Sequence, residues 1–175
     1  LATMLAGLFL LLPSDLAKLG QAAIATILFV SNALYFRQSG YFDEASDFNP
    51  LLHTWSLGVE EQFYVGLPLL LMTVHRYKPD WLVRVVGSCA VLSFAACVLA
   101  QPIMAKLVFF LSPFRAWELL LGSLLALGVV PRFRNDAVRQ STSAIALIVL
   151  LGTVWLMTAG VDFPGWKVAI PVLAT

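Results

Sequence analysis

Long runs of apolar residues, separated by short polar segments, make up most of the chain. A helix that crosses a bilayer needs about 20 predominantly apolar residues, with a range of about 17 to 25. Runs of this kind predict five complete membrane-spanning helices, at about 20–36, 56–74, 82–100, 113–130 and 143–160. Two shorter runs, at about 1–12 and from Val168 onward, predict two truncated spans, so both ends of the chain are expected to be cut.

The polar segments between these runs alternate in charge. Basic residues concentrate in two of them: Arg76, Lys78 and Arg84 at 75–84, and Arg132, Arg134 and Arg139 at 131–142. Connections rich in Lys and Arg face the cytoplasm in membrane proteins. The pattern therefore predicts that 75–81 and 131–142 are cytoplasmic, and that the alternate segments face the other side, at 37–55, 101–112 and 161–167.

Composition agrees with lipid as the natural solvent. The chain is 60% hydrophobic and only 12% charged, whereas soluble domains carry about 25% charged residues. A net charge of +1 gives no support to a nucleic-acid partner, because such proteins carry clustered positive charge. We therefore predict an all-α polytopic transmembrane helix bundle.

Charged residues inside the predicted spans are candidate functional groups, because a charge at the centre of a bilayer costs about 2.5–3.5 kcal/mol on insertion scales. The third span contains Glu60 and Glu61. Adjacent side chains point about 100° apart on a helix, so at most one of the two can point directly at a given site. The alternative is that these acids only complement the positive end of the helix dipole.

The segment around these glutamates is polar for the start of a membrane helix. His53, Thr54 and Ser56 precede them, and Gln62 and Tyr64 follow. Ser56, Glu60 and Tyr64 share one helical stripe at i, i+4 spacing. Histidine is the side chain suited to proton transfer near neutral pH, so His53 is a candidate base, although a lone loop histidine is more often inert.

Arg115 and Glu118 stand three residues apart in the fifth predicted span. They can form an ion pair with each other, which would be a structural role. An arginine that is not paired in this way could bind a carboxylate, a phosphate or a thioester oxygen through its fixed donors. The sequence contains no zinc, serine-hydrolase or phosphate-loop motif, and it gives no support to a metal site.

Two stretches of sequence resemble segments of the acyltransferase 3 family. The first runs from Ser31-Asn32 through Tyr41-Phe42-Asp43 to Leu51-Leu52-His53-Thr54-Trp55-Ser56-Leu57-Gly58-Val59-Glu60-Glu61-Gln62-Phe63-Tyr64, and the second is Phe114-Arg115-Ala116-Trp117-Glu118-Leu119-Leu120-Leu121-Gly122. They occur in the family's order, and the resemblance covers essentially the whole chain. Within the family, the chain looks most similar to the bacterial surface-polysaccharide O-acetyltransferases.

This resemblance implies that residues 1–175 are part of a membrane domain of about ten helices in the bacterial inner membrane. Such an enzyme would move an acyl group, usually acetyl, from cytoplasmic acetyl-CoA to a hydroxyl of an extracytoplasmic glycan, such as lipopolysaccharide. The expected partners are therefore membrane lipid, acyl-CoA and a surface glycan. The acyl-CoA is a donor substrate, and no bound cofactor is expected.

Acyl transfer from a thioester needs a base, a donor to the developing oxyanion, and positioning of both substrates. The candidate catalytic residues are His53, Glu60, Glu61, Arg115 and Glu118, and the candidate substrate-binding residues are Trp55, Ser56 and Tyr64. The family's first helix carries an arginine and a histidine outside this sequence, so the piece alone is expected to be inactive. Gly58 stands where family members often have serine or alanine, a difference expected not to affect the chemistry.

Two other classes of membrane protein fit the same residues. Charges inside spans, together with Pro68 in the third span, are also typical of transporters and channels. A non-catalytic membrane subunit is the third possibility. A transporter would favour matching interrupted helices in two halves of the chain, and the sequence does not show that pattern.

Overall fold

A computed structural model describes residues 2–38, 49–129, 135–156 and 166–175, and every regular element within these ranges is helical. The α-helices are α1 (Ala2–Leu10), α2 (Pro13–Ile27), α3 (Ser31–Gln38), α4 (Thr54–Tyr77), α5 (Leu82–Phe110), α6 (Ser112–Ala126), α7 (Asp136–Leu156) and α8 (Ala169–Ala174). Short 3-10 turns at Pro79–Trp81 and Trp166–Val168 precede α5 and α8. The predicted all-α class is confirmed for the described residues.

One helical stretch in the described ranges, Pro79–Phe110, is long and apolar enough to cross a membrane. Its mean hydropathy is 2.2, and only 22% of its most apolar window is buried. The core helix of a soluble protein would be mostly buried, so the exposed apolar surface is consistent with a membrane protein. As far as the structure describes them, the helices at the other predicted spans do not meet the same criterion, and a bundle of several spans stays a prediction.

The predicted span at 20–36 is wrong as a single helix, because it is interrupted between α2 and α3. Phe29 has a φ of 57°, the left-handed conformation that bulky residues rarely adopt. The Phe29 N–H donates to the Thr26 oxygen at 3.1 Å, and the Val30 N–H donates to the Ala25 oxygen at 2.8 Å. This pair of bonds is a Schellman motif, which ends α2 and redirects the chain into α3.

The predicted loop at 101–112 is also wrong, because α5 continues to Phe110. Apolar contacts hold this last part, in which Val108 is fully buried. Pro102 lies inside the helix, and Met104 leaves helical geometry with φ −138° and ψ 50°. A proline inside a helix removes one hydrogen bond and crowds the preceding turn, which accounts for a kink at this place.

Other predicted boundaries shift by several residues or lie outside the described residues. Helix α6, which corresponds to the predicted span at 113–130, ends at Ala126 and is followed by Gly128 with a φ of 76°. This helix is therefore shorter at its C-terminal end than predicted. The predicted loop at 131–142 is helical from Asp136 onward, where α7 begins. The segments 39–48, 130–134 and 157–165 lie outside the described residues, and they include Tyr41-Phe42-Asp43, Arg132 and Arg134.

The chain divides into two compact units. The first is Leu1–Leu70 with Phe110–Ser112, and the second is Leu71–Phe109 with Pro113–Thr175. In the first unit α2 packs against α1 and α3. A Cβ on Gly7 of α1 would lie 2.6 Å from a methyl of Leu19, so the absence of a side chain there permits the close approach of α1 and α2.

The second unit has a separate apolar core. Its centre consists of four buried residues from α5, α6 and the turn before α8: Cys97, Val108, Trp117 and Val168. The Phe94 ring lies edge-on to Trp117 with 4.8 Å between ring centroids, a favoured geometry for an aromatic pair. This core fixes the start of α6, which carries two of the predicted site residues.

Candidate functional site

The start of α4 is tied to the preceding turn and to α3. The Thr54 hydroxyl donates to the main-chain oxygen of Leu51 at 2.7 Å. The Ser31 hydroxyl, at the first residue of α3, donates to the main-chain oxygen of Thr54 at 2.7 Å. Because Ser31 and Thr54 are both buried, these bonds satisfy polar groups that would otherwise be costly to bury.

One stripe of α4, formed by Thr54, Gly58 and Gln62 at i, i+4 spacing, faces α3. A Cβ on Gly58 would lie 2.9 Å from the Ser31 hydroxyl oxygen and 3.2 Å from the Asn32 side-chain oxygen. Only glycine leaves room for these two polar groups at this distance. From the sequence, Gly58 is expected to be a mild variation with no effect on the chemistry, whereas the structure gives it a definite packing role between α3 and α4.

Gln62 is the centre of a hydrogen-bonded network. Its Nε2 donates to the Phe29 main-chain oxygen at 2.8 Å and to Asn32 Oδ1 at 2.9 Å. Its Oε1 accepts from Asn32 Nδ2 at 3.4 Å and from the Ser112 hydroxyl. Both amide groups therefore use their donors and their acceptors within the network, which fixes the orientation of each side chain.

Asn32 extends this network to the end of α5. It is 2% exposed, and its Nδ2 also donates to the Phe110 main-chain oxygen at 3.1 Å. The network formed by Asn32, Gln62, Ser112 and the carbonyls of Phe29 and Phe110 carries no formal charge. It therefore stabilises the packing of the first unit without the desolvation cost of a buried ion.

Glu60 and Glu61 lie on different sides of α4. At about 100° per residue, Glu61 is about 60° from Gly58 around the helix and Glu60 is about 160° away. Both are half-buried. Among the described residues, neither carboxylate has a hydrogen bond or an ion pair. Glu61 therefore borders the stripe that packs against α3, whereas Glu60 lies on the opposite side, on the stripe of Ser56 and Tyr64.

The predicted site residues at the start of α4 differ in exposure and contacts. His53 is exposed, and its main-chain oxygen accepts a hydrogen bond from the Ser56 hydroxyl at 3.2 Å. Trp55 is half-buried, and its ring lies edge-on to Phe110 at 5.5 Å between centroids. His53 therefore presents its ring to the surroundings, whereas Trp55 contributes to packing.

Tyr64 lies two helical turns further along α4 than Ser56, on the same stripe. Its side chain is 58% exposed, and its ring lies 6.5 Å from that of Phe63 between centroids. An exposed tyrosine presents both an apolar ring and a polar hydroxyl. Tyr64 is therefore open to a ligand on the face of α4 that also carries Glu60.

Arg115 and Glu118, in the second unit, form the ion pair that their spacing permits. Arg115 Nε donates to Glu118 Oε1 at 3.1 Å, and Nη2 donates to Oε2 at 2.9 Å. The two side chains are 18% and 19% exposed. This two-point geometry is the strong form of an arginine–carboxylate contact, and it engages the guanidinium with Glu118.

The first two turns of α6, which carry this ion pair, are held by a serine from α5. The Ser93 hydroxyl donates to the Pro113 main-chain oxygen at 2.6 Å and accepts from the Trp117 N–H at 3.0 Å. It therefore bridges the carbonyl and the N–H that a regular helix would pair directly. This role of Ser93 could not be predicted from the sequence, because a serine in an apolar run does not reveal a partner 20 residues away.

An apolar cavity of about 210 Å³ lies beside the core of the second unit. Its walls are formed by Ala90, Val91, Phe94, Trp117, Leu121, Ala169 and Leu173. Such a lining suits an apolar group better than a sugar, which needs polar partners. In the described part of the chain, no three His, Cys, Asp or Glu side chains come together as metal ligands.

Comparison with known proteins identifies relatives over most of the chain. An uncharacterized protein of Haemophilus influenzae is 30% identical over 175 residues, which cover 93% of this chain and 71% of that protein. O-acetyltransferase OatA of Staphylococcus aureus is 32% identical over 152 residues, which cover 83% of this chain and 25% of that protein. No family model and no solved structure matches the chain.

The two relatives differ in how much of their length is matched. The chain spans about a quarter of the O-acetyltransferase, so the match concerns one part of a longer protein. It spans more than two thirds of the Haemophilus influenzae protein. The chain therefore belongs to the same family as that protein, and its O-acetyltransferase relatives are consistent with an acyltransferase family.

Proposed function

We propose that the chain is part of an acyltransferase 3 membrane domain that transfers an acyl group, typically acetyl, from cytoplasmic acyl-CoA to a hydroxyl of an extracytoplasmic surface glycan. The observation that carries this proposal is the similarity to O-acetyltransferases over 83% of the chain. The segment from His53 to Tyr64, which comprises the residue before α4 and the first half of that helix, lies within the described structure and provides candidate groups for the chemistry.

The proposed location is the bacterial inner membrane, with several spans. In this arrangement 75–81 is cytoplasmic and 37–55 is extracytoplasmic, so His53 lies at the outer end of α4. With 24 residues, α4 is about 36 Å long, which is sufficient for a hydrocarbon core of about 30 Å. The apolar helix Pro79–Phe110 supports this arrangement.

In the proposed reaction, the sugar hydroxyl oxygen attacks the thioester carbonyl carbon. A C–O bond forms, the C–S bond breaks, and the hydroxyl proton passes to a base while coenzyme A leaves as its thiol after protonation. His53 is a candidate base, and Glu61 or Glu60 would orient the base or the acceptor hydroxyl. Trp55, Ser56 and Tyr64 are the candidate contacts to substrate.

Arg115 is the candidate group that stabilises the oxyanion in this mechanism. Its guanidinium is engaged by Glu118 in a two-point contact. It would stabilise the developing oxyanion through its fixed positive charge. Glu118 would then act by orienting Arg115.

Labelled acetyl-CoA tests the proposal in the full-length protein in membranes. Glu60→Gln and Glu61→Gln each keep the side-chain size and remove the charge. We expect at least one of them to lower transfer of label to glycan by about a hundredfold, the scale of a lost general acid–base group. Asp136→Asn, at the exposed start of α7, is the matched control. Unchanged transfer in both glutamine variants would overturn the assignment of these carboxylates.

The interruption between α2 and α3 favours a transporter as the second candidate. Discontinuous helices surround the substrate sites of many transporters. The same labelled preparation separates the two classes, because an enzyme leaves the label covalently attached to glycan. A transporter would instead move an unmodified solute across the membrane of sealed vesicles, and a non-catalytic subunit would do neither.

A further inference from the structure

The turn between α4 and α5, in the second unit, is a continuous exposed segment. Seven successive residues, 75–81, are exposed, and so is Arg84 in the first turn of α5. Sites for small molecules are concave and bury most of their ligand, whereas the residues of this turn are exposed along its whole length. A partner for this surface is expected to be broad and flat.

Aromatic rings organise the basic side chains of this turn. Lys78 Nζ lies 4.8 Å from the centroid of the Trp81 ring, and Arg84 Cζ lies 5.8 Å from the same centroid. Arg76 Cζ lies 5.9 Å from the centroid of Tyr77. All three distances are within the range of about 6 Å for cation–π contacts. The rings restrain the cations and leave their N–H donors available.

The charges of the turn are unbalanced. The segment 75–84 contains three cations, Arg76, Lys78 and Arg84, and a single carboxylate, that of Asp80. Among the described residues none of these three cations forms an ion pair. An excess of unpaired donors on an exposed surface attracts anions, and phosphate oxygens are suitable acceptors.

The position of the turn beside an apolar helix indicates that the anions which it attracts belong to the membrane surface. It immediately precedes and partly overlaps Pro79–Phe110, the apolar stretch that is able to cross a membrane. Trp81 is 48% exposed and Tyr77 is 75% exposed. Exposed Trp and Tyr beside an apolar helix are typical of the boundary between hydrocarbon and headgroups.

We propose that the basic–aromatic turn, defined as residues 75–84, binds the phosphate-bearing headgroups of anionic phospholipids. Lys78 and Arg84, held over the two-ring system of Trp81, would donate to headgroup phosphates, and Arg76 beside Tyr77 would contribute a further donor. This inference rests on the membrane location in the proposed function, but it requires no acyl transfer.

Spin-labelled lipids test the proposal with the full-length protein in bilayers. The relative association of labelled phosphatidylglycerol and phosphatidylcholine with the protein is measured in the absence of any acyl donor. We expect a preference for phosphatidylglycerol that falls as salt is added. Each of Arg76→Gln, Lys78→Gln and Arg84→Gln should reduce this preference by about fivefold at most, the effect expected of one basic residue at an anionic surface.

Two further variants test whether the lipid preference depends on the cation–π arrangement at Trp81 or only on the net charge of the protein. Trp81→Leu keeps every charge and removes the ring, and we expect it to reduce the preference for phosphatidylglycerol. Arg139→Gln removes one charge from α7, where Arg139 pairs with Asp136 at 3.0 Å, and we expect no change. If Arg139→Gln has the same effect as Lys78→Gln, the preference reflects net charge, and the proposed site is wrong.

Coenzyme A also carries phosphate groups, so the turn could bind the acyl donor instead of lipid. Addition of coenzyme A alone, as a competitor, distinguishes these two sources of phosphate. If it displaces labelled phosphatidylglycerol from the wild-type protein, and not from Lys78→Gln, the turn binds the donor and the lipid assignment is overturned. Equal association of both lipids with wild type would also overturn it. Loss of acyl transfer with the lipid preference intact would count against the proposed function only.

Discussion

The side-chain amide of Gln62 donates a 2.8 Å hydrogen bond to the main-chain oxygen of Phe29, the residue that follows α2 in a left-handed conformation. The Phe29 carbonyl lies just beyond α2, which ends at Ile27. Gln62 supplies its partner from α4, the helix that also carries the predicted carboxylates. The interruption of the predicted second span is therefore linked directly to the candidate site.

Replacement of Gln62 by leucine should destabilise the first unit. Leucine has a similar size but leaves the buried Asn32 side chain without its Gln62 partner, and a buried polar group that loses its hydrogen bond costs about 1–3 kcal/mol. We expect a lower midpoint of unfolding in detergent. Gln21→Leu, at an exposed position of α2, is the matched control and should leave the midpoint nearly unchanged. Equal midpoints for the two variants would contradict the role of the network.

Gly58→Ala should destabilise the protein by about 1–3 kcal/mol, the usual cost of an overfilled core. The added methyl would lie 2.9 Å from the Ser31 hydroxyl oxygen. Gly66→Ala on the same helix meets no atom within 4 Å, and it should instead stabilise by about 0.5–1 kcal/mol, because alanine favours helix over glycine. The free energy of unfolding of both variants checks the contrast.

A double variant identifies the contact responsible for the effect of Gly58→Ala. Ser31→Ala removes the nearest oxygen and makes room for the new methyl. The combined variant should therefore lose less stability than the sum of the two single variants, since contacting residues are not additive. Simple additivity would show that Ser31 is not the obstacle.

The left-handed residue Phe29 allows a test of backbone strain. Phe29→Gly and Phe29→Ala both remove the ring, which is 42% exposed. The left-handed conformation costs about 1–2 kcal/mol for a residue with a Cβ, so the glycine variant should be the more stable of the two by about that amount. The order at Gly66 is expected to be the reverse. A more stable alanine variant at position 29 would exclude a strained backbone there.

Single and double variants of Arg115 and Glu118 distinguish a structural role of this ion pair from a role in acyl transfer. Arg115→Gln and Glu118→Gln each leave one half-buried charge without its partner, so both should lower stability, and the double variant should recover part of the loss, with a coupling of about 0.5–3 kcal/mol. Unfolding in detergent gives this coupling. If acyl transfer recovers together with stability, the pair is structural, and if it does not, the oxyanion role proposed for Arg115 is supported.

Much of the helical structure could be predicted from the sequence. Helix α4 contains the predicted span at 56–74 and continues through Pro68. The pairing of Arg115 with Glu118 follows from their i, i+3 spacing. These features are local, since the periodicity of a helix and contacts within one turn depend on residues close together in the sequence.

The features that could not be predicted are non-local or lack a sequence signal. Gln62 bonds to Asn32 and Ser112, which are 30 and 50 residues away, so a polar flank was the only local indication of its role. The left-handed Phe29 that follows α2 is unexpected, because a residue in this conformation is usually glycine or asparagine. A run of apolar residues contains no sign of such a break.

The kink at Met104 has a consequence for the depth that α5 reaches. From Leu82 to Ile103 the helix has a length of about 33 Å, close to the hydrocarbon thickness of about 30 Å. In the proposed bilayer, the helix would therefore leave the acyl-chain region near its bend, and the final turns would run among the lipid carbonyls. Lys106, which follows the bend, would then meet water without crossing hydrocarbon.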